Sequence, residues 1–421
     1  MESTYFRRGF GLKTAIEGQL AADYASSVVE YLRVNGYTLS AGPLTFQLAR
    51  EFGFCYGVDR AVDYAYEART KFPDRRIFLV GEIIHNPHVN EKLRAMGVTI
   101  LAHDPDRAFD FGGITAADVV ILPAFGVTIR DFERLRGLGC VLVDTTCGSV
   151  LNVWKRVESY AKDGFTAVIH GKHWHEETKA TASQVNRHPG GKYLVVLDMD
   201  EAQPVLDFIR QGGSEAEAQV LAERFARATS PGFDFRTDLA RVGIANQTTM
   251  LSSESLGIAA AFGAALRDRY GPEHVAEHFR SFDTICSATQ ERQDAVEALL
   301  AEPLDIMLVV GGYNSSNTCH LAELAESRGA RTYHIEDAAG VEPESGAIRY
   351  QPVGRKAEAR QERWLGGARI IGITAGASTP NNKIGETIAR VCDTAGVGAA
   401  LAAAVGGSQA APTALPPPPR S

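Results

Sequence analysis

Two near-identical phrases end in cysteine: Asp144-Thr145-Thr146-Cys147 and Asp283-Thr284-Ile285-Cys286. A buried-strand run, Cys140-Val141-Leu142-Val143, leads into the first. After Cys147 the apolar residues Val150, Val153, Trp154, Val157 and Ala161 recur with helical period. Cys55, in Gly53-Phe54-Cys55-Tyr56-Gly57, is followed by Val58, Ala61, Val62 and Ala65 on the same spacing. The pattern after Cys286 is weaker and starts only at Ala295 and Val296. Three cysteines are therefore expected where a strand hands over to a helix. Free N–H groups and partial positive charge at a helix N-terminus stabilise a thiolate, the form that binds metal. One such cysteine reads equally well as an inert core thiol. Three at matched junctions, each opening a stretch of domain length, point to a shared ligand set. Structural zinc takes four ligands in paired spacings. Three thiolates from three separate segments suit an iron–sulfur cluster better, with one iron left open for substrate.

A second pattern accompanies the thiols. Strand-like runs end in small polar residues: Asn246-Gln247-Thr248-Thr249, Asn314-Ser315-Ser316-Asn317 and Gly376-Ala377-Ser378. Ligands of open α/β sheets bind at the carboxyl ends of the strands. Small polar residues there let N–H groups and hydroxyls approach an anion, although the same residues also cap helices. His85 and His175 each follow a strand, and read either as phosphate donors or as ordinary loop histidines. His173-Trp174-His175-Glu176-Glu177 is not the H-E-x-x-H of a zinc site. Glu177 is a plausible proton donor if a dry pocket raises its pKa. The residues together describe a cluster enzyme acting on a small anionic, phosphorylated substrate.

The elements that must position these groups follow from the rest of the chain. At 421 residues it is too long for one core, and two or three domains are expected. A net charge of −8 argues against a general nucleic-acid or anionic-membrane binder. Six cysteines without a C-x-x-C pair make no disulfide framework, no 18-residue apolar run spans a membrane, and the N-terminus reads as neither signal nor transit peptide. A reducing cytoplasm is the expected setting. Strand and helix patterns alternate from Cys55 onward, which implies parallel sheets covered by helices. Before them, residues 14–32 read as one helix and 37–40 with 44–48 as a strand pair. This N-terminal piece carries no legible chemistry, and is expected to pack on the main body or on a second copy in a homodimer. Residues 210–236 read as an exposed helical insertion. From about Thr394 the chain is rich in Ala, Gly and Pro and is expected to be disordered.

In order, G-F-C-Y-G-V-D-R-A, E-I-I-H-N, D-T-T-C, H-E-E-T, N-Q-T-T, D-T-I-C-S-A-T-Q-E-R-Q, N-S-S-N-T and T-A-G-A-S-T-P run from Gly53 to Pro380. This series resembles the 4-hydroxy-3-methylbut-2-enyl diphosphate reductase family, in its plant and cyanobacterial branch. The resemblance implies an α/β fold of three domains with small parallel sheets, in pseudo-threefold arrangement around a central 4Fe-4S cluster. The domains would be residues 53–146, 147–285 and 286–393, between an N-terminal extension, 1–52, and a disordered tail, 394–421. Cys55, Cys147 and Cys286 match the cluster ligands, leaving one iron open to substrate. His85, His175, Thr248, Ser315, Ser316, Asn317 and Ser378 match positions that hold the diphosphate or the allylic alcohol. Glu177 matches the proton-relay acid, with Thr248 beside it. The family removes an allylic hydroxyl with two electrons and two protons, drawing electrons from ferredoxin or flavodoxin.

Two departures stand out. Relatives commonly have a histidine where Phe125 stands, so one diphosphate contact is expected to be either missing or replaced, with Lys172 and His173 as the candidates. Proline commonly follows the middle cysteine, and Gly148-Ser149 is expected to loosen the turn at Cys147. The alternatives are another three-cysteine cluster enzyme, such as one like quinolinate synthase, or a non-catalytic redox sensor. The first is expected to lack E-I-I-H-N and T-A-G-A-S-T-P.

Overall fold

Runs such as Val119-Val120-Ile121-Leu122 are apolar at every position, so both faces of each strand need cover, as in a parallel sheet between helices. A computed structural model describes residues 4–102, 108–282 and 284–406; Asp283 and the tail beyond Gly406 lie outside them. It has three such sheets. The first runs, in spatial order, Tyr5–Phe6, Val141–Asp144, Val119–Leu122, Ile77–Val80 and Val98–Leu101, all parallel. The second runs Phe279–Ser281, Val242–Asn246, Thr166–His170 and Tyr193–Val196, also parallel. The third runs Thr332–Ile335, Ile306–Val310, Ile370–Ala375, Leu44–Leu48 and Thr38–Ala41, with only the last pair antiparallel.

Five helices matter for the chemistry: α1 Tyr56–Lys71, α2 Gly148–Lys162, α3 Glu176–Ala182, α4 Ser287–Leu300 and α5 Ser316–Ser327. Three of them cross between sheets. The chain leaves the third sheet at Leu48, passes Cys55 and enters α1, which packs on the first sheet. It leaves the first sheet at Asp144, passes Cys147 and enters α2, which packs on the second. It leaves the second sheet at Ser281, passes Cys286 and enters α4, which packs with α5 on the third. Each cysteine thus stands where the chain changes sheet.

Several elements differ from expectation. Residues 14–32 form two helices, Lys13–Tyr24 and Ser27–Val34, because Ser26 starts the second by accepting from the Val29 N–H at 3.3 Å. Ser26 sits against Gly385, where a Cβ would fall 2.0 Å from its Oγ. The N-terminal piece is shared out: Tyr5–Phe6 extends the first sheet and the 38–48 pair completes the third. The insertion at 210–236 does hold a helix, Glu215–Arg224, but Leu221, Phe225 and Phe235 bury themselves in the second core. A small antiparallel sheet, Val341–Glu342, Ala347–Tyr350 and Ala359–Glu362, was not foreseen. It carries the cross-strand charge pairs Arg349–Glu342, at 3.0 Å, and Arg360–Glu342, at 2.9 Å, rather than an apolar run. Gly148 does not break α2, which starts at that residue and runs for 15.

The expected tail needs correction. Residues 398–406 are helical, and Leu401 is buried against the third core. Alanine-rich sequence has high helix propensity, and one apolar anchor docks it. Leu401→Ala is expected to lower stability by about 2 kcal/mol. Urea unfolding checks this; an unchanged midpoint would mean the helix contributes nothing.

Candidate active site

Cys55, Cys147 and Cys286 are the residues immediately before α1, α2 and α4, each with extended backbone and no cap hydrogen bond from its side chain. All three are free, half-buried thiols lining one cavity of ≈ 90 Å³. Cys147 Sγ lies so close to Gly57 that a Cβ there would stand 2.5 Å from it and 3.8 Å from Cys55 Sγ. Burial pushes the Cys55 thiol up to about 11, against the pull of Arg292 and with added repulsion from the other two thiols. Burial raises Cys147 as well. The helix N-termini were expected to lower these values, but desolvation outweighs them, so thiolates here need a cation for company.

Cys140, Cys319 and Cys392 are elsewhere. Cys140 Sγ donates to the Leu135 carbonyl at 3.5 Å, and Cys319 Sγ to that of Tyr313 at 3.3 Å. Cys392 is buried in the third core.

The rest of the cavity is polar on one side. His85, His175, Glu177, Thr248, Ser315, Ser316, Asn317 and Ser378 all line it, so the residues matched to the substrate-holding and proton-relay positions come together, whereas Lys172 and His173 are not among its lining residues. The hydrogen bonds fix the histidine tautomers. His175 Nδ1 accepts from the Glu177 N–H at 3.1 Å, so its proton is on Nε2. That Nε2–H donates to His85 Nε2 at 3.2 Å, and His85 Nδ1–H donates to Glu82 at 2.8 Å. Phe125 stacks on His85, with ring centroids 4.3 Å apart and planes 21° apart, and buttresses the imidazole. A larger cavity of ≈ 470 Å³ lies across Phe125, but no thiol lines it.

Glu177 is almost wholly buried, on the first turn of α3. Its Oε1 accepts from the Thr248 N–H at 2.6 Å. Burial nevertheless raises its pKa to about 7, with the Thr248 bonds and His85 pulling the other way. Thr289 Oγ1, on α4, donates to the Thr248 carbonyl at 3.0 Å and ties this loop to the Cys286 helix.

Opposite stands the N-terminus of α5. Ser315 caps it, accepting from the Thr318 N–H at 3.4 Å. Ser378 Oγ donates to the His85 carbonyl at 3.2 Å and lies 3.3 Å from Ser315 Oγ. Asn317 Oδ1 accepts from the Ala377 N–H at 2.9 Å, while its buried Nδ2 has no partner among the described residues. Unpaired buried donors cost free energy unless a ligand answers them. Lys172 Nζ reaches Ser316 Oγ at 3.3 Å, whereas His173 turns to Trp174 in a different cavity. His320, not singled out in the sequence, donates through Nδ1 to the Thr249 carbonyl at 2.7 Å. Its only signal was a position one turn into the helix after Asn317.

A group bound by three thiolates fits these residues. The three thiols face one space, and Cys147 Sγ presses so close to position 57 that only glycine fits there. Arg292 is 3% exposed with no ion pair among the described residues, so an anion beside Cys55 would answer a buried charge. His85, His175 and Glu176 also bring ligand atoms within 4.8 Å of one another, but without sulfur.

The family model described as LytB protein matches residues 46–392. The chain belongs to the LytB family. A 4-hydroxy-3-methylbut-2-enyl diphosphate reductase of Gloeobacter violaceus is 48% identical, covering 94% of this chain and 93% of that protein. The reductase of Thermosynechococcus vestitus is 48% identical as well, over 92% of this chain and 94% of its own. A solved (E)-4-hydroxy-3-methyl-but-2-enyl diphosphate reductase, described as the terminal enzyme of the non-mevalonate pathway, superposes with a TM-score of 0.50 at 26% identity. The match covers 82% of this chain and 98% of that one. A reductase from Plasmodium falciparum shares the fold, with a TM-score of 0.60 at 19% identity over 82% and 87% of the two chains. Among the described residues no helix is long and apolar enough to cross a membrane.

Proposed function

We infer that this chain reduces 4-hydroxy-3-methylbut-2-enyl diphosphate to isopentenyl and dimethylallyl diphosphates. The observation that carries the reading is one cavity holding three free thiols, a buried carboxyl and an anion cradle. Cys55, Cys147 and Cys286 would hold a 4Fe-4S cluster. When bound, it supplies electrons one at a time and a Lewis-acidic iron with an open position. Ferredoxin or flavodoxin is the electron donor in this reading, in a reducing cytoplasm. The segments 53–146, 147–285 and 286–393 act as three domains that meet at the cysteines, the third completed by strands from the N-terminal piece.

The chain's own groups do the rest. Ser315, Ser316 and Asn317 at the start of α5, with Ser378 from the loop after strand Ile370–Ala375, hold the diphosphate with hydroxyls, the Asn317 amide and the helix N-terminus. His85 and His175 close over it from the other side. Holding the remote phosphates positions the reacting carbon near the thiols. Glu177 gives its proton to the allylic hydroxyl, so that oxygen leaves as water, and Thr248 holds the carboxyl in place. The snug walls around Ile84, Ala124 and Val150 keep solvent from the reacting end.

No Lys or Arg lines this cavity among the described residues, yet the substrate brings a multiply charged diphosphate. We propose that Lys172, through its contact with Ser316, supplies the missing cation where Phe125 stands in place of a family histidine. A charge-assisted hydrogen bond is worth about 1.5–3 kcal/mol. Lys172→Met should therefore raise KM by about 10- to 100-fold and leave kcat nearly unchanged. A fall in kcat at constant KM would assign Lys172 to the chemical step instead.

Anaerobic turnover tests the whole reading. The reconstituted protein should consume the hydroxylated diphosphate with a low-potential donor. A brown protein that turns nothing over would support the redox-sensor alternative.

A further inference from the structure

Three arginines outside the cavity make related contacts. Arg60, on the second turn of α1, donates to the carbonyl of Thr146, the residue before Cys147. Arg156, on the third turn of α2, lies 4.0 Å over the ring of Phe282, just ahead of Cys286. Arg292, on the second turn of α4, donates to the carbonyl of Gly53, just ahead of Cys55, at 2.8 Å. It also donates to Ala288, in its own first turn, at 2.7 Å. Each helix that opens at one cysteine thus grips the segment leading into the next, and the third closes on the first.

The chemistry of the side chain suits this task. Guanidinium is planar, permanently charged and able to fork between two carbonyls or stack on an aromatic face. No carboxylate forms an ion pair with any of the three among the described residues, and the charge of Arg292 pulls directly on the Cys55 thiol. The Nε atoms of Arg60 and Arg292 are buried without a partner among the described residues. The residues following the cysteines, Tyr56, Gly148 and Ser287, are exposed, so the helix starts have little packing above them to fix the sulfur atoms.

We propose that Arg60, Arg156 and Arg292 form a closed ring of clamps that sets the spacing of Cys55, Cys147 and Cys286, making them positioning residues for retention of the thiolate-bound group. The proposal rests on the cluster reading above, but the spacing of the thiols can be tested apart from it.

Partners beyond the ligands typically change metal affinity by about 10- to 100-fold. In the anaerobically loaded full-length protein, Arg60→Met and Arg292→Met should each release iron to an excess of chelator at least ~10-fold faster than wild type. Phe282→Leu, which removes the ring under Arg156 and leaves all three arginines, should also speed release. Arg94→Met, on the exposed side of the helix Pro87–Ala95, should not. Far-UV circular dichroism of the same samples should show unchanged helicity and melting. Faster release only in step with lost melting temperature would mean ordinary packing and would overturn the ring.

Arsenite separates this proposal from the cluster reading. It bonds three thiols at once with loss of three waters, and so reports their spacing in reduced, iron-free protein. If wild type binds arsenite but no iron, the cluster reading fails while the ring survives. Wild-type affinity for arsenite in both Arg60→Met and Arg292→Met would overturn the ring.

Discussion

Serine at position 55, 147 or 286 is expected to abolish both the broad visible absorption of the bound cluster and the turnover of the diphosphate. The three sulfur atoms share one cavity, and each is the residue before a different helix, so none has a neighbour to stand in for it. A serine hydroxyl is a poor ligand for iron, which in such clusters is held by thiolate. The remaining cysteines supply the contrast. Cys319→Ser should keep colour and activity, because its thiol is committed to the Tyr313 carbonyl, which a hydroxyl also satisfies. Cys392→Ser should keep both at some cost in stability, about 1–3 kcal/mol for a hydroxyl buried in the third core. Visible spectra and iron counts of the anaerobically purified variants decide the matter. If Cys319→Ser alone bleaches the protein, the ligand assignment is wrong.

The sequence shows these cysteines because strand-to-helix handover leaves a local signature: an apolar run, then a thiol, then a 3.6-residue period. What it hides is which sheet each flank joins. The strand 44–48 pairs with 370–375, more than 300 residues away, and nothing local in Leu44-Thr45-Phe46-Gln47-Leu48 specifies that partner. The helix Met199–Gln211 is hidden in the sequence although Asp198 caps it and Gly212 ends it, because Pro204 interrupts the pattern. Composition alone predicts disorder for residues 398–406, because it counts residues and cannot see Leu401 finding a core. The positions proposed to bind the anion are legible as small polar strand ends. Their roles separate only in three dimensions: Ser315 Oγ is taken up in capping the helix, accepting from the Thr318 N–H, whereas the Asn317 Nδ2 donor has no partner among the described residues. Arg60 and Arg292 were visible in C-Y-G-V-D-R and C-S-A-T-Q-E-R, but their partners lie in distant segments.

Glu177→Gln should bind substrate and retain the metal-bound thiols, yet turn over at least ~10²-fold more slowly, since positioned acids contribute about 10²–10⁴-fold. A carboxylate has no place in a diphosphate cradle on electrostatic grounds, because like charges repel. Burial removes the conflict by holding the group near the point of half-protonation, at about 7, where it can still give a proton at neutral pH. The acid form is the useful one, so the rate should fall as pH rises through about 7, and the glutamine variant should lose that limb. Stability moves in the same direction. With a folded pKa of about 7 against 4.5 for the free group, the folded chain keeps a proton between these values that the unfolded chain has released. This group's contribution therefore falls as pH climbs from 4.5 to 7, by about 3 kcal/mol in all. Glutamine never ionises, so Glu177→Gln should be the more stable protein above pH 7 and the far slower enzyme. That opposite movement separates a proton donor from a residue kept for structure. Should the variant instead raise KM with kcat unchanged, Glu177 binds substrate and the proton comes from another group.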